Sequence, residues 1–212
     1  MEKIHLQQVL PADIEKRSFE IITEELLSRG KADAILPENE LVVKRVIHTT
    51  ADFDYVDNLC ISEGAVQKGM QALKNGACIV TDTQMARSGI NKKKLAQFGG
   101  EAFCFISDED VAAQAKQQGT TRATASMEKA AKLNRPLIFA IGNAPTALVK
   151  LNALMEQGLR PELIIGVPVG FVNVVEAKEL ILRAPVPYIV ARGRKGGSNV
   201  AAAICNAMLY QL

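Results

Sequence analysis

The chain has 212 residues, enough for one substantial domain with a real core, and its apolar fraction of 48% is that of an ordinary globular protein. A formal net charge of +2, with no basic tail, excludes a dominant electrostatic footprint for nucleic acid but leaves room for a small anionic ligand. Four cysteines without a C-x-x-C pair and only two histidines argue against disulfides, a zinc site or a multi-histidine centre. No metal is therefore expected, and the thiols read as reduced, in a cytoplasmic protein.

The first residues, Met1 to His5, become charged at once and lack the apolar core of a signal segment. The longest apolar run, Leu163 to Val175, is interrupted by Gly166, Pro168 and Gly170 and is too short for a membrane span. Pro11 to Arg29 predicts a helix, with Asp13 in its opening turn, Phe19, Ile22 and Leu26 as an apolar stripe, and Gly30 as the stop. Ser18 lies inside it, where a solvated or back-bonded hydroxyl is the plain reading.

Pro37-Glu38-Asn39-Glu40 opens a second helix, although Val42, Val43, Val46 and Ile47 also suit a strand. It leads into Arg45-Val46-Ile47-His48-Thr49-Thr50-Ala51-Asp52-Phe53-Asp54. On a continuous helix Arg45, His48 and Asp52 share a face. His48 would fall in the last turn, where the helix dipole favours a cationic ring and hence a proton donor. An ordinary surface or core histidine is the competing reading. Thr50 is placed to cap a following turn. Ser62 to Leu73 predicts a third helix, ended by Gly76. Residues 1–76 thus read as a helical N-terminal part of a single domain, and 77–212 as a parallel α/β part.

Five short apolar runs follow: Cys78 to Thr81, Ala102 to Ile106, Leu137 to Ile141, Leu163 to Val167, and Tyr188 to Val190. Each but the last precedes a helix-like segment, and a terminal helix runs to about Leu209. Runs without alternation predict strands buried on both faces, so a parallel sheet covered by helices. Ligands of such sheets bind beyond the carboxyl ends of the strands. The loops there hold Arg87 and the stretches Gly142-Asn143-Ala144-Pro145-Thr146 and Arg192-Gly193-Arg194-Lys195-Gly196-Gly197-Ser198-Asn199. Glycines beside a helix start, with two arginines and a lysine, are suited to carboxylates or phosphate. Thr121-Arg122 offers a further anion contact. Neither a nucleotide-triphosphate P-loop nor G-x-G-x-x-G after the first strand is present.

Six stretches resemble the precorrin-8X methylmutase family, also called precorrin isomerase, which includes the cobalt-precorrin-8 methylmutases. They are Arg45 to Asp54, Asp82 to Ile90 (DTQMARSGI), Thr120 to Ala123 (TTRA), Ile141 to Leu148 (IGNAPTAL), Ile164 to Asn173 (IIGVPVGFVN) and Gly193 to Ser198 (GRKGGS). The resemblance spans nearly the whole chain, including the helix with Ser18 and Phe19. It implies a three-layer flavodoxin-like α/β fold, with a five-stranded parallel sheet and additional N-terminal helices. It further implies a homodimer without a dissociable cofactor that moves a methyl group from C-11 to C-12 of a corrin macrocycle in cobalamin biosynthesis. The product would be hydrogenobyrinate, or cobyrinate for the cobalt form. The family's catalytic histidine falls on His48, as the acid that protonates the macrocycle. Arg45, Arg87, Arg122, Arg192, Arg194 and Lys195 are then candidate partners of the substrate carboxylates. Ser18, Thr49, Thr121, Asn143, Thr146, Ser198 and Asn199 are candidate hydrogen-bonding partners. Two other readings are a non-catalytic tetrapyrrole carrier, marked by binding without turnover, and a flavin- or phosphate-binding module, marked by bound flavin.

Overall fold

The computed structural model describes residues 7–212, so the reading of Met1 to His5 lies outside the described residues. Helix α1 (Ile14–Ser28) follows a single 3-10 turn at Pro11–Asp13 and buries Ile22 and Leu26. Helix α2 (Glu40–Thr50) is likewise led in by a 3-10 turn at Pro37–Asn39. Its β-branched residues Val42, Val43, Val46 and Ile47 all face the core, at helical rather than strand spacing. The helix stops because Ala51 takes a left-handed conformation, φ 53°.

A short helix α3 (Tyr55–Asn58), strand β1 (Leu59–Ile61) and helix α4 (Ala65–Lys74) complete the N-terminal part. The α/β part then runs β2 (Cys78–Thr81), α5 (Gln84–Gly89), α6 (Lys92–Ala96), β3 (Ala102–Phe103), α7 (Glu109–Gln118) and α8 (Arg122–Ala130). It continues through β4 (Leu137–Ile141), α9 (Pro145–Glu156), β5 (Leu163–Gly166), α10 (Val174–Leu182), β6 (Tyr188–Ala191) and α11 (Ser198–Leu209).

The strands form one sheet in the order β1-β6-β5-β4-β2-β3, parallel except that β1 pairs antiparallel with β6 through Leu59–Ala191, Cys60–Val190 and Ile61–Ile189. The five-stranded parallel sheet expected from sequence is therefore a six-stranded one with an antiparallel edge. The N-terminal part is correspondingly not all helical. At three residues, β1 is too short to leave a periodic trace, and its partner is supplied from the far end of the chain. Strand β3 is also shorter than the apolar run predicted it, because the chain leaves this edge of the sheet at Cys104.

Without β1, the spatial order of the parallel strands is second, first, third, fourth, fifth, the flavodoxin-like winding, whose direction reverses between β2 and β4. Ile79, Ile138, Leu163, Ile165 and Ile189 pack one face of the sheet under α1, α2, α4, α5 and α11. Val80, Phe139, Ile141, Ile164 and Val190 pack the other under α8, α9 and α10. Helix α11 is sunk almost entirely in the first layer, and its alanines allow close approach: a Cβ on Gly89 would lie 2.8 Å from that of Ala202. All four cysteines are free, and burial pushes the Cys205 thiol up to about 12. Among the described residues no helix is long and apolar enough to cross a membrane.

Candidate active site

His48 sits in the last turn of α2, exposed at a cleft of about 270 Å³ whose walls include Arg45, Thr49, Asn199, Asn206 and Tyr210. Its ring stacks on Phe19 of α1, centroids 5.6 Å apart and planes 18° from parallel. The Arg45 guanidinium lies 4.9 Å from the Phe19 ring and 5.2 Å from the Tyr210 ring, which holds the cation by face contacts. Its Nη2 donates to Glu15 at 2.5 Å, and this bond holds the Glu15 carboxyl below the usual carboxylate range. Arg45 Nε is buried and has no hydrogen-bond partner among the described residues. Ser18 donates its hydroxyl to the Ile14 carbonyl at 2.9 Å, the back-bonded arrangement.

The face shared by Arg45, His48 and Asp52 does not form. The left-handed Ala51 turns the chain, Thr50 accepts a bond from the Asp52 amide at 3.3 Å, and Asp52 leaves the helix. Lys195 donates instead to both Asp52 and Asp54, each at 2.6 Å. This lowers the pKa of Asp52 and raises that of Lys195.

At the winding reversal, a second cleft of about 540 Å³ is bounded by Thr83, Thr121, Arg122, Asn143 and Thr146. Thr121 caps α8 by accepting from the Thr124 amide at 3.1 Å, and its hydroxyl is 3.0 Å from that of Thr146. A neighbouring cavity of about 640 Å³ shares the Pro145–Thr146 wall and adds Val149 and Val172. The amides at the start of the α9 loop are already engaged. Asp82, buried at the end of β2, accepts from Gly142, Asn143 and Ala144 at 2.9, 2.8 and 2.6 Å. Burial raises this carboxyl's pKa, and the three amides oppose the rise.

The start of α11 lies between the two clefts. Ser198 and Thr83 share a hydroxyl–hydroxyl bond of 2.8 Å, while Asn199, one residue on, lines the His48 cleft. Gly142 makes this meeting possible, since a Cβ there would come within 2.6 Å of Ser198 Cα. The six candidate cations differ in their commitments. Arg45, Arg192 and Lys195 have carboxylate partners, Arg192 meeting Glu179 at 3.3 Å. Arg87, Arg122 and Arg194 have none among the described residues. Arg87 Nε donates to the Ala102 carbonyl at 2.9 Å, bracing β3, and Arg194 lies 5.4 Å from the Phe171 ring.

Three residues without a role in the sequence reading shape these sites: Glu15, Asp82 and Lys178. Lys178 is buried in α10 and donates to the carbonyls of Gly193 and Lys195, both at 2.8 Å. Asp82 stands inside a quoted motif, but its partners lie 60 to 62 residues away. Nothing in the local spacing of Glu15 or Lys178 signals their partners.

The winding and its polar carboxyl edge define a protein of the doubly wound α/β class, with its candidate site at the strand ends. The chain belongs to the precorrin-8X methylmutase family: the model of that description matches residues 13–211. It is 47% identical over 209 residues to the cobalt-precorrin-8 methylmutase of Leptospira interrogans, covering 94% of this chain and 93% of that protein. It is also 47% identical over 211 residues to the cobalt-precorrin-8 methylmutase of Salmonella typhimurium, covering 98% of both. A solved structure of precorrin-8x methyl mutase from Thermus thermophilus superposes with a TM-score of 0.82 at 39% identity, covering 93% of this chain and 96% of that one. The chain is accordingly a methyl-shifting isomerase of cobalamin biosynthesis.

Proposed function

We propose that this enzyme moves the methyl group of cobalt-precorrin-8 from C-11 to C-12, giving cobyrinate, with His48 as the general acid. The observation that carries the acid is the exposed imidazole in the last turn of α2, stacked on Phe19 at the mouth of a cleft. Proton donation to the conjugated ring draws electron density from it. The methyl bond to C-11 then breaks as the bond to C-12 forms, and the proton is returned when conjugation is restored. Nothing else is consumed, so the reaction needs no dissociable cofactor. A general acid supplies roughly 100- to 10,000-fold. Holding the polyanionic macrocycle still supplies the rest, and Arg122, Arg194, Thr121, Thr146 and Asn199 are the groups we assign to its carboxylates.

His48→Ala should abolish conversion and leave corrinoid affinity within about tenfold, because it removes the donor and few carboxylate contacts. Turnover near that of wild type, followed by absorbance, would place the acid elsewhere. The cobalt form is preferred because the two relatives at 47% identity are named for it, whereas the solved relative at 39% is not. Separate incubations with cobalt-loaded and metal-free substrate test this, faster conversion of the metal-free form being the contrary result. We read the active species as a cytoplasmic homodimer acting as one domain per chain. The four free cysteines fit a reducing compartment, and exposed Met85, Val169, Phe171 and Val172 offer apolar surface for a second chain. Sedimentation equilibrium should return the mass of two chains, and a single-chain mass would refute the dimer.

A further inference from the structure

Hydrogen bonds do not hold the imidazole of His48. Neither of its ring nitrogens has a hydrogen-bond or ion-pair partner among the described residues, and the outer torsion of a histidine side chain is broad. What selects the plane of the ring is the face of Phe19, 5.6 Å away and 18° from parallel. That plane matters chemically, because both N–H bonds of an imidazolium lie in it and a proton is given along an N–H direction. Phe19 suits this task because α2 holds it in turn. On α1 it continues the stripe of Ile22 and Leu26, which are buried in one cluster with Val42, Val43, Val46 and Ile47 of α2. Its carbonyl accepts from Thr23 Oγ1 at 2.7 Å, and that oxygen accepts from Lys44 Nζ at 2.8 Å, one turn before His48. Its ring receives the Arg45 guanidinium at 4.9 Å, which Glu15 ties back to α1. Glu15 and Phe19 of one helix thus engage Arg45 and His48 of the other, and the packed helix pair sets the plane of the imidazole.

We propose that Phe19 is a positioning residue, whose ring face holds the plane of the His48 imidazole and so aims the proton that the acid gives to the macrocycle. This rests on the proposed function, which makes His48 the acid. Phe19 does not line the His48 cleft and acts through the imidazole.

The test compares wild type with Phe19→Leu, which keeps apolar bulk without a flat ring, and Phe19→Tyr, which restores the ring. Cobyrinate serves as the binding probe and cobalt-precorrin-8 as the substrate. Phe19→Leu should lower kcat about tenfold, part of the roughly 100- to 10,000-fold that a general acid supplies, and keep Kd within about twofold. Phe19→Tyr should regain most of the lost kcat. An unchanged kcat in Phe19→Leu, a Kd that rises as far as kcat falls, or a Phe19→Tyr no better than Phe19→Leu would overturn the assignment. The wild type also reports without a change at Phe19, through carbon-13 relaxation of its imidazole signals. Of the two histidines, His48 is the one whose signal is missing from His48→Ala. Its ring should be as ordered as the α2 backbone, and a ring turning freely on the picosecond-to-nanosecond scale would overturn the proposal even where Phe19→Leu fails to fold. Undiminished turnover in His48→Ala would instead defeat the functional reading on which the proposal stands.

Discussion

Arg194 and Arg87 are chemically alike and differ in what their guanidinium groups already hold. Among the described residues the Arg194 guanidinium meets the Phe171 ring and no hydrogen-bond acceptor, which leaves its donors open to a ligand. Arg194→Ala should weaken cobyrinate binding by about 1.5–3 kcal/mol, the range for a charge-assisted hydrogen bond, with little change in unfolding midpoint. Arg87 spends its Nε on Ala102, so Arg87→Ala should lower the urea midpoint as well as affinity. Equal effects of the two substitutions on both readouts would contradict this division. The sequence allowed all six cations to be named and did not sort them. A residue type and its loop are local properties, whereas the partner that occupies a guanidinium comes from another element: Glu15 for Arg45, Glu179 for Arg192 and the Ala102 carbonyl for Arg87. The same gap explains Asp52, which was assigned to a helical face. Its place depended on the φ of Ala51 and on Lys195, neither visible in the spacing.

At the scale of elements, the parallel strands were legible because burial on both faces leaves runs without alternation. The helix carrying His48 was legible from its opening proline and acidic residues, against the strand preference of its valines. Strand β1 was not, since a three-residue edge earns its identity only by pairing with β6. The junction of β4 with α11 was equally hidden. Gly142 has an ordinary backbone conformation, so its role is steric. Gly142→Ala places a methyl 2.6 Å from Ser198 Cα and 2.8 Å from the Gly197 carbonyl oxygen. Overpacking against backbone should cost about 2 kcal/mol or more and break the Thr83–Ser198 bond. Calorimetry reads the first effect, and reduced corrinoid affinity the second. An unshifted Tm would mean that the strand end yields at no cost.

At the scale of the whole molecule, Lys195 clasps the end of α2 to the final loop of the α/β part. Because Lys195 depresses the pKa of Asp52, the folded state binds fewer protons than the unfolded state below about pH 4, where a free aspartate titrates. Stability from this group is fully present above that range and is lost as pH falls through the depressed value. The unfolding free energy of wild type minus that of Asp52→Asn should hence stay level from about pH 5 to about pH 8, above the free aspartate pKa of about 3.9, and shrink in acid. A difference that grows in acid would reverse the sign and remove the clasp.

Folds wound in this way are customary hosts for nucleotides, which outnumber rare pathway intermediates in any cell. Here the amides that would greet a phosphate at the winding reversal are occupied by the chain's own Asp82. The chain thus satisfies with its own carboxylate the donors that a bound phosphate would otherwise meet. Millimolar ATP or flavin mononucleotide should leave conversion unchanged, and competitive inhibition by either would show that those donors remain open to phosphate.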